Sequence, residues 1–291
     1  MAVWIIFSVA VLVSATTPLA IQWSEQGLGL FFAVTIRMSL GTLICLGLIH
    51  FSRIALPFHD RAIRAYLLGG FGFFVGITCS YWGLQLIPSG WASVLFGLTP
   101  MFNGFIAKRA LQEPFGWNRI IGSLLGLMGL MIIFSQGIRL NLAQNGLGVV
   151  IVMLSVIVFS LTSVGMKKWS HDLHPLAITT GCLMVMTPCF FMSWYWGEGG
   201  AIGALAPKTV GSILYLACFS TVAGFVAFYS LLRRVDAAVA ALPNFLAPLL
   251  GVWLGVVVNG ESLQPGFLLG AVFVLTGLSL FQWGKLLFAA A

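Results

Sequence analysis

Charge is what this chain has least of. Of 291 residues, 7% are Asp, Glu, Lys or Arg, and seven are acidic, where a soluble domain carries roughly 25% charged residues. With 60% hydrophobic residues and a mean hydropathy of +1.05, an ordinary water-soluble core is excluded. Histidine is scarce: His50, His59, His171 and His174 are the four. His171-Asp172-Leu173-His174 looks like a fragment of a metal site, but no further ligand cluster accompanies it, so no metal is expected. The five cysteines, Cys45, Cys79, Cys182, Cys189 and Cys218, lie in apolar stretches, are odd in number and form no CxxC, which argues against a disulfide framework. There is no Walker A sequence and no glycine-rich phosphate loop. The chain therefore does not hydrolyse ATP by itself, and neither a catalytic set nor a cofactor is expected. The net charge of +7 comes from basic residues scattered in short loops, so it is read as membrane topology and not as a nucleic-acid surface. The N-terminus is apolar from Val3 without a basic leader, unlike a signal peptide.

What the chain does have is itself, twice. At an offset of 148 residues, Gly76 falls on Gly224, Tyr81 on Tyr229, Ala92 on Ala240, Pro100 on Pro248, Glu113 on Glu261, Gly122 on Gly270 and Gly129 on Gly277. Nearer each start the offset is 146, pairing Ser14 with Ser160, Thr16 with Thr162 and Trp23-Ser24 with Trp169-Ser170. Each copy holds enough apolar residues for five spans of about 20 residues. Spans are expected near 3–22, 29–50, 63–84, 89–108 and 118–136, then 146–166, 175–196, 209–232, 238–258 and 266–284. The fold class is thus an all-α membrane protein of ten transmembrane helices in two inverted five-helix repeats. Residues 1–136 form the first repeat, 137–145 an extracytoplasmic connector and 146–291 the second, within a single integrated membrane domain. Five is odd, so the second copy enters the membrane from the opposite side, as in carriers built from inverted repeats.

The loop charges orient this arrangement. With the N-terminus inside, inner loops and the C-terminus hold eleven of the fourteen Lys and Arg: Arg53, Arg61, Arg64, Lys108, Arg109, Arg119, Lys167, Lys168, Arg233, Arg234 and Lys285. Outer loops hold Arg139 and Lys208. Cationic loops are retained on the cytoplasmic side, so both termini are expected in the cytoplasm. The remaining basic residue, Arg37, falls inside span two.

A charge in lipid costs at least a few kcal/mol, so Arg37 must face the bundle interior and find acceptors. Carbonyls freed by a kinked helix would serve, and so would a solute carboxylate or phosphate matching its planar fork. No counterpart exists in copy two, where the region reads Thr179-Thr180-Gly181. None of the seven acidic residues falls mid-membrane on this map; Glu113 and Glu261 are placed at span ends, where they cap helices, and would serve coupling only if they sat deeper. Tyr81, Trp82, Thr99, Asn103, Tyr229 and Asn244 join Arg37 as candidate substrate-binding residues. Pro100 and Pro248 recur in the middle of spans four and nine. A proline there removes a backbone hydrogen bond, and the resulting kink either serves packing or frames a central cavity as a gating hinge. Recurrent small residues (Gly97 and Gly104; Gly122, Gly126 and Gly129; Gly251 and Gly255; Gly266 and Gly270) mark faces where helices touch.

This pattern resembles the drug/metabolite transporter superfamily, specifically its EamA-type branch. The resemblance covers nearly the whole chain. It rests on the two five-span repeats, on Thr99-Pro100 with Ala247-Pro248, and on Leu111-Gln112-Glu113-Pro114 with Asn259-Gly260-Glu261-Ser262. It rests also on the glycine-rich spans that follow each, and on Arg37 in span two. It implies an inner-membrane carrier with a central cavity, an exporter of small organic metabolites such as amino acids that works by alternating access. The alternative is a flippase for a lipid or lipid precursor, or a membrane enzyme. The expected partners are a small organic solute and the bilayer, and a monomer is expected.

The orientation is open to direct test. In a background stripped of native cysteines, single cysteines near Asp60, Asn118 and Lys285 are expected to be shielded from an impermeant thiol reagent in intact cells, and those near Asn141 and Lys208 to react. The opposite pattern would refute the orientation.

Overall fold

In the computed structural model, which describes residues 2–24, 28–87, 89–135, 142–200, 206–259 and 266–288, the chain is helical and crosses the membrane ten times in two inverted repeats. In a bilayer, backbone donors and acceptors must be satisfied within the segment, and helices do this. The helices are α1 (Ala2–Ser24), α2 (Leu30–Ser52), α3 (Asp60–Leu86), α4 (Ser89–Phe96), α5 (Thr99–Ala110), α6 (Trp117–Phe134), α7 (Leu142–Trp169) and α8 (Pro175–Gly197). Span eight follows as α9 (Pro207–Tyr215), a π-helical segment (Leu216–Ala223) and α10 (Gly224–Leu232); then come α11 (Ala237–Ala240), α12 (Pro243–Asn259) and α13 (Phe267–Phe288). Prolines open several of them: Pro175 and Pro207 sit in the first turn of α8 and α9, where a missing N–H is harmless. Residues 137–141 of the expected connector, and Glu261, lie outside the described residues.

The chain divides into two compact units, and each draws on both copies. Unit one comprises Met1–Phe74 and Gly165–Arg234. Its central pair is α2 and α8, the second spans of the two copies. They run antiparallel: near one end the rings of Phe32 and Trp194 meet at a tilt with centroids 5.3 Å apart, and further along Thr42 shares a 2.9 Å hydrogen bond with Thr187. Glu198, just past α8, accepts from the backbone N–H groups of Phe31 (2.9 Å) and Phe32 (3.1 Å). The carboxylate thus neutralises the positive end of α2. The first part of α3 closes on α8 through glycines: Gly70 faces Val185, and Gly181 faces the ring of Tyr66.

Unit two comprises Val75–Val164 and Val235–Ala291, and its central pair is α6 and α13, the fifth spans of the two copies. A Cβ placed on Gly122 would lie 2.5 Å from the carbonyl oxygen of Gly277, and one on Gly277 the same distance from that of Gly122. Gly129 and Gly270 show the same reciprocal 2.5 Å approach. Gly122 corresponds to Gly270 and Gly129 to Gly277, so exchanging the copies maps one contact onto the other. A span lying antiparallel to its own counterpart is the inversion seen directly. The second part of α3 packs on α7 by similar means. Gly76 and Gly83 admit Phe159 and Val152, and Ser80 and Ser155 share a 2.6 Å hydrogen bond.

The matched prolines occupy different local structures. Span four is not one kinked helix: α4 stops at Phe96, Gly97 and Leu98 form a turn, and Pro100 sits in the first turn of α5. Thr99 Oγ1 donates to the Phe96 carbonyl at 2.6 Å, occupying an acceptor that the break leaves over. In span nine the break falls earlier, at Ala241 and Leu242, and Pro243 opens α12. Pro248, the sequence counterpart of Pro100, lies inside α12.

The reciprocal glycine contacts make a sharp prediction. Gly129→Val and Gly277→Val place side-chain atoms against opposing backbone, an overpacking that costs about 1–3 kcal/mol. Each is expected to lower the melting temperature in detergent by several degrees, whereas Gly47→Ala, with nothing within 4 Å of its added Cβ, is expected to leave it unchanged. Equal melting temperatures for all three would show that backbone contact does not hold this pair.

Candidate functional site

The site is built around the charge in span two. Arg37 lies seven residues into α2, about 10 Å along the axis at 1.5 Å per residue, and is 9% exposed. Its Nε donates to Thr221 Oγ1 at 2.8 Å and one terminal nitrogen donates to Ser220 Oγ at 2.9 Å. Both acceptors lie on the π-helical segment of span eight. Gly41, one turn beyond Arg37 on the same face, makes the approach feasible: a Cβ there would come within 2.8 Å of Thr221 Cγ2.

Span one completes this polar layer. Thr17 Oγ1 donates to Ser220 Oγ at 3.0 Å, and Thr16 shares a 2.6 Å hydrogen bond with the Tyr215 hydroxyl. Thr16 and Thr17 also bond to carbonyls one turn back in α1. The hydroxyl of Thr35 is buried with no hydrogen-bond partner among the described residues. Unit one therefore contains a guanidinium inside the hydrocarbon region, with two hydroxyls of span eight among its partners. A hydroxyl is a weaker acceptor for guanidinium than a carboxylate, whose charge-assisted, two-pronged bonds are shorter and roughly twice as strong.

Tyr229, also in unit one, is 1% exposed, packs against Phe73, Phe225 and Phe228, and donates to Cys182 Sγ at 3.3 Å. The other sequence candidates belong to unit two. Tyr81 and Thr99 are buried, Asn244 is half-buried, and Trp82 is 53% exposed. Asn103 is 1% exposed; its amide donates to the Ala237 carbonyl at 3.1 Å, and its Oδ1 is buried without a partner among the described residues.

A second polar cluster joins the copies within unit two. Glu113 accepts from the backbone N–H of Ala237 at 2.8 Å, so Asn103 and Glu113 hold the carbonyl and the N–H of one residue. Beside it Arg119 pairs with Asp236 at 2.6 Å, donates to the Pro114 carbonyl at 2.6 Å and lies over the Phe281 ring. Glu113 is thus a cap, as its position at a span end suggests, but the helix it caps is α11 of the other copy.

Between the ends of helices, Arg61 pairs with Asp172 at 3.0 Å, Arg119 with Asp236 at 2.6 Å, Glu198 meets the start of α2 and Lys208 lies over Trp23. Sequence reasoning did not single out Ser220, Thr221, Tyr215 or Gly41. The available signal was the unmet demand of Arg37 for acceptors, with Ser220-Thr221 the adjacent hydroxyls of span eight. The π register that aims them is not visible in the residues themselves.

Ten crossings, inverted halves, helices broken within the membrane and a buried intramembrane cation define a multi-pass membrane transporter. Residues 1–135 and 146–283 match the EamA-like transporter family, and the chain belongs to that family. It is similar to an uncharacterized transporter of Archaeoglobus fulgidus, with 24% identity over 280 residues covering 94% of this chain and 96% of the relative. It is also similar to the S-adenosylmethionine/S-adenosylhomocysteine transporter of Chlamydia muridarum, with 25% identity over 288 residues covering 95% and 90%. The uncharacterized transporter YoaV of Bacillus subtilis shares 23% over 248 residues, 84% of each chain. A solved crystal structure shares the fold, with a TM-score of 0.86 at 15% sequence identity over 97% of this chain and 98% of the other.

Proposed function

We propose that this transporter is a secondary carrier that exports a small organic metabolite carrying a carboxylate, such as an amino acid, by alternating access. It would sit in the inner (plasma) membrane as a monomer with both termini in the cytoplasm, the orientation supported by the eleven basic residues of the inner loops. The observation that carries the solute class is a guanidinium buried within an apolar span, Arg37, whose planar fork matches a carboxylate. A carboxylate reaching Arg37 forms a charge-assisted pair, and such a pair is strongest where water is excluded. One relative is named for S-adenosylmethionine and S-adenosylhomocysteine, both of which carry an amino-acid carboxylate, and this agrees with the reading. Thr99, Asn103, Asn244, Tyr81, Trp82 and Tyr229 are assigned as further solute contacts. Among them Asn103, with its unpartnered Oδ1, has an acceptor to offer an ammonium or hydroxyl. Pro100 and Pro248 are assigned as hinges: Pro100 opens the helix that follows the break in span four, and Pro248 removes a backbone hydrogen bond inside α12, beyond the break in span nine.

Two sets of variants test this. In proteoliposomes, counterflow screened over amino acids is expected to identify a transported solute; Arg37→Lys, which keeps charge but loses the fork, should raise its KM about tenfold, and Arg37→Gln further, while neutral analogues are spared. Well-folded Arg37→Gln protein moving the native solute at full rate would sink the assignment. Pro100→Ala and Pro248→Ala are expected to slow transport several-fold with little change in melting temperature; full rates in both would end the hinge reading.

A further inference from the structure

The π-helical turn in span eight has no cause in its own sequence. Residues Leu216–Ala223 read Leu-Ala-Cys-Phe-Ser-Thr-Val-Ala, with neither glycine nor proline. π-Helix is rare and occurs chiefly as single turns at functional positions, so a segment without a helix breaker is expected to be α-helical unless something outside it intervenes. The duplication supplies the control. The matching residues of copy one, 68–75, read Leu-Gly-Gly-Phe-Gly-Phe-Phe-Val and contain three glycines, yet they run as uninterrupted α-helix within α3. Propensity alone ranks the two in the wrong order, since glycine is the poorer helix former.

The neighbours differ where the conformations do. Residues 68–75 pack on α8, where Gly69 and Gly70 face Cys182 and Val185. Leu216–Ala223 packs on α2, the counterpart of α8, and meets Arg37 there. The copy facing an arginine is π-helical; the copy facing none is α-helical. One guanidinium holds two consecutive side chains, Ser220 through a terminal nitrogen and Thr221 through Nε, while Thr17 holds Ser220 from the other side.

We infer that Arg37 imposes the π turn on span eight, and that Ser220, Thr221 and Gly41 are positioning residues that set where its guanidinium is held in the solute-free protein. The three stand in the relation of a latch. Ser220 and Thr221 are the catch, and Gly41 is the clearance that lets Thr221 close on α2. A π turn is one extra residue in an α-helix, so losing it shifts the helix beyond by about 100° and about 1.5 Å. Here that helix is α10, whose Phe225, Phe228 and Tyr229 surround Phe73. Building on the reading of Arg37 as the carboxylate-binding residue, a solute that takes the guanidinium frees span eight to rewind. A carboxylate that pairs with the Nε and terminal-nitrogen edge displaces Thr221 and Ser220 from it, and binding then biases one conformation over another.

The test uses solute-free protein, so its failure leaves the transport result for Arg37 unaffected. Amide hydrogen exchange of the peptide spanning residues 213–226 is measured in proteoliposomes for the wild type, Thr221→Val with Ser220→Ala, Gly41→Ala and Thr221→Ser. Rewinding closes the regular ladder, so the double variant and Gly41→Ala should exchange at least tenfold more slowly than wild type, and Thr221→Ser, which keeps the hydroxyl, at the wild-type rate. Mere damage to packing would speed exchange. Unchanged or faster exchange in the double variant, or slowed exchange in Thr221→Ser, would overturn the inference.

Discussion

Backbone lying on backbone is the contact on which this fold depends. In water a helix is held by the apolar area it buries; in lipid that gain disappears, because a leucine is as well solvated by acyl chains as by another helix. What remains is close approach. α6 and α13 achieve it through Gly122 against Gly277 and Gly129 against Gly270, with carbonyl oxygens where side chains would otherwise stand. The same economy recurs where Gly76 and Gly83 admit α7, and where Gly70 and Gly181 join α3 to α8. Large side chains can then point outward into lipid without loss, which is why Leu268, Leu147 and Val150 are well exposed.

Much of this was legible in the residues. Apolar runs of about 20 residues have one structural solution in a bilayer, so the spans could be read from length and composition. The offset of 148 residues carried the two-fold relation, and an odd number of spans per copy carried the inversion. The sequence also marked Gly97, Gly104, Gly122, Gly126, Gly129, Gly266 and Gly270 as contact points, and each meets a neighbouring helix or loop closely. It could not say which helix each would meet, because pairing is a property of the partner's surface as well. Nor could it place the breaks. Pro100 and Pro248 match in sequence, yet Pro100 begins a helix and Pro243, not Pro248, begins its equivalent in span nine. Proline tolerates both a first turn and an interior kink, so the surroundings decide.

The site was half legible. A single arginine in an apolar span announces itself through its desolvation cost, and acceptors had to exist. That they would be Ser220 and Thr221 required the π turn, and the turn is not written in the eight residues that form it. The arginine lies 183 and 184 positions away from them. Glu113 shows the same limit: its role as a cap follows from its place at a span end, but the capped N–H belongs to Ala237 in the other copy.

The reciprocal glycine contact in unit two has a further consequence. Gly122 touches Gly277 and Gly270 touches Gly129, and under the repeat these are the same contact written twice. In an assembly of separate chains such an arrangement is called isologous: one patch serves as both lock and key. A half-length chain carrying this glycine face would therefore hold everything needed to pair with an upside-down copy of itself. Fusing two copies into one polypeptide adds no new surface to that pair. It adds only the means for the two halves to differ, and Arg37, present in one and absent from the other, is one place where they have done so.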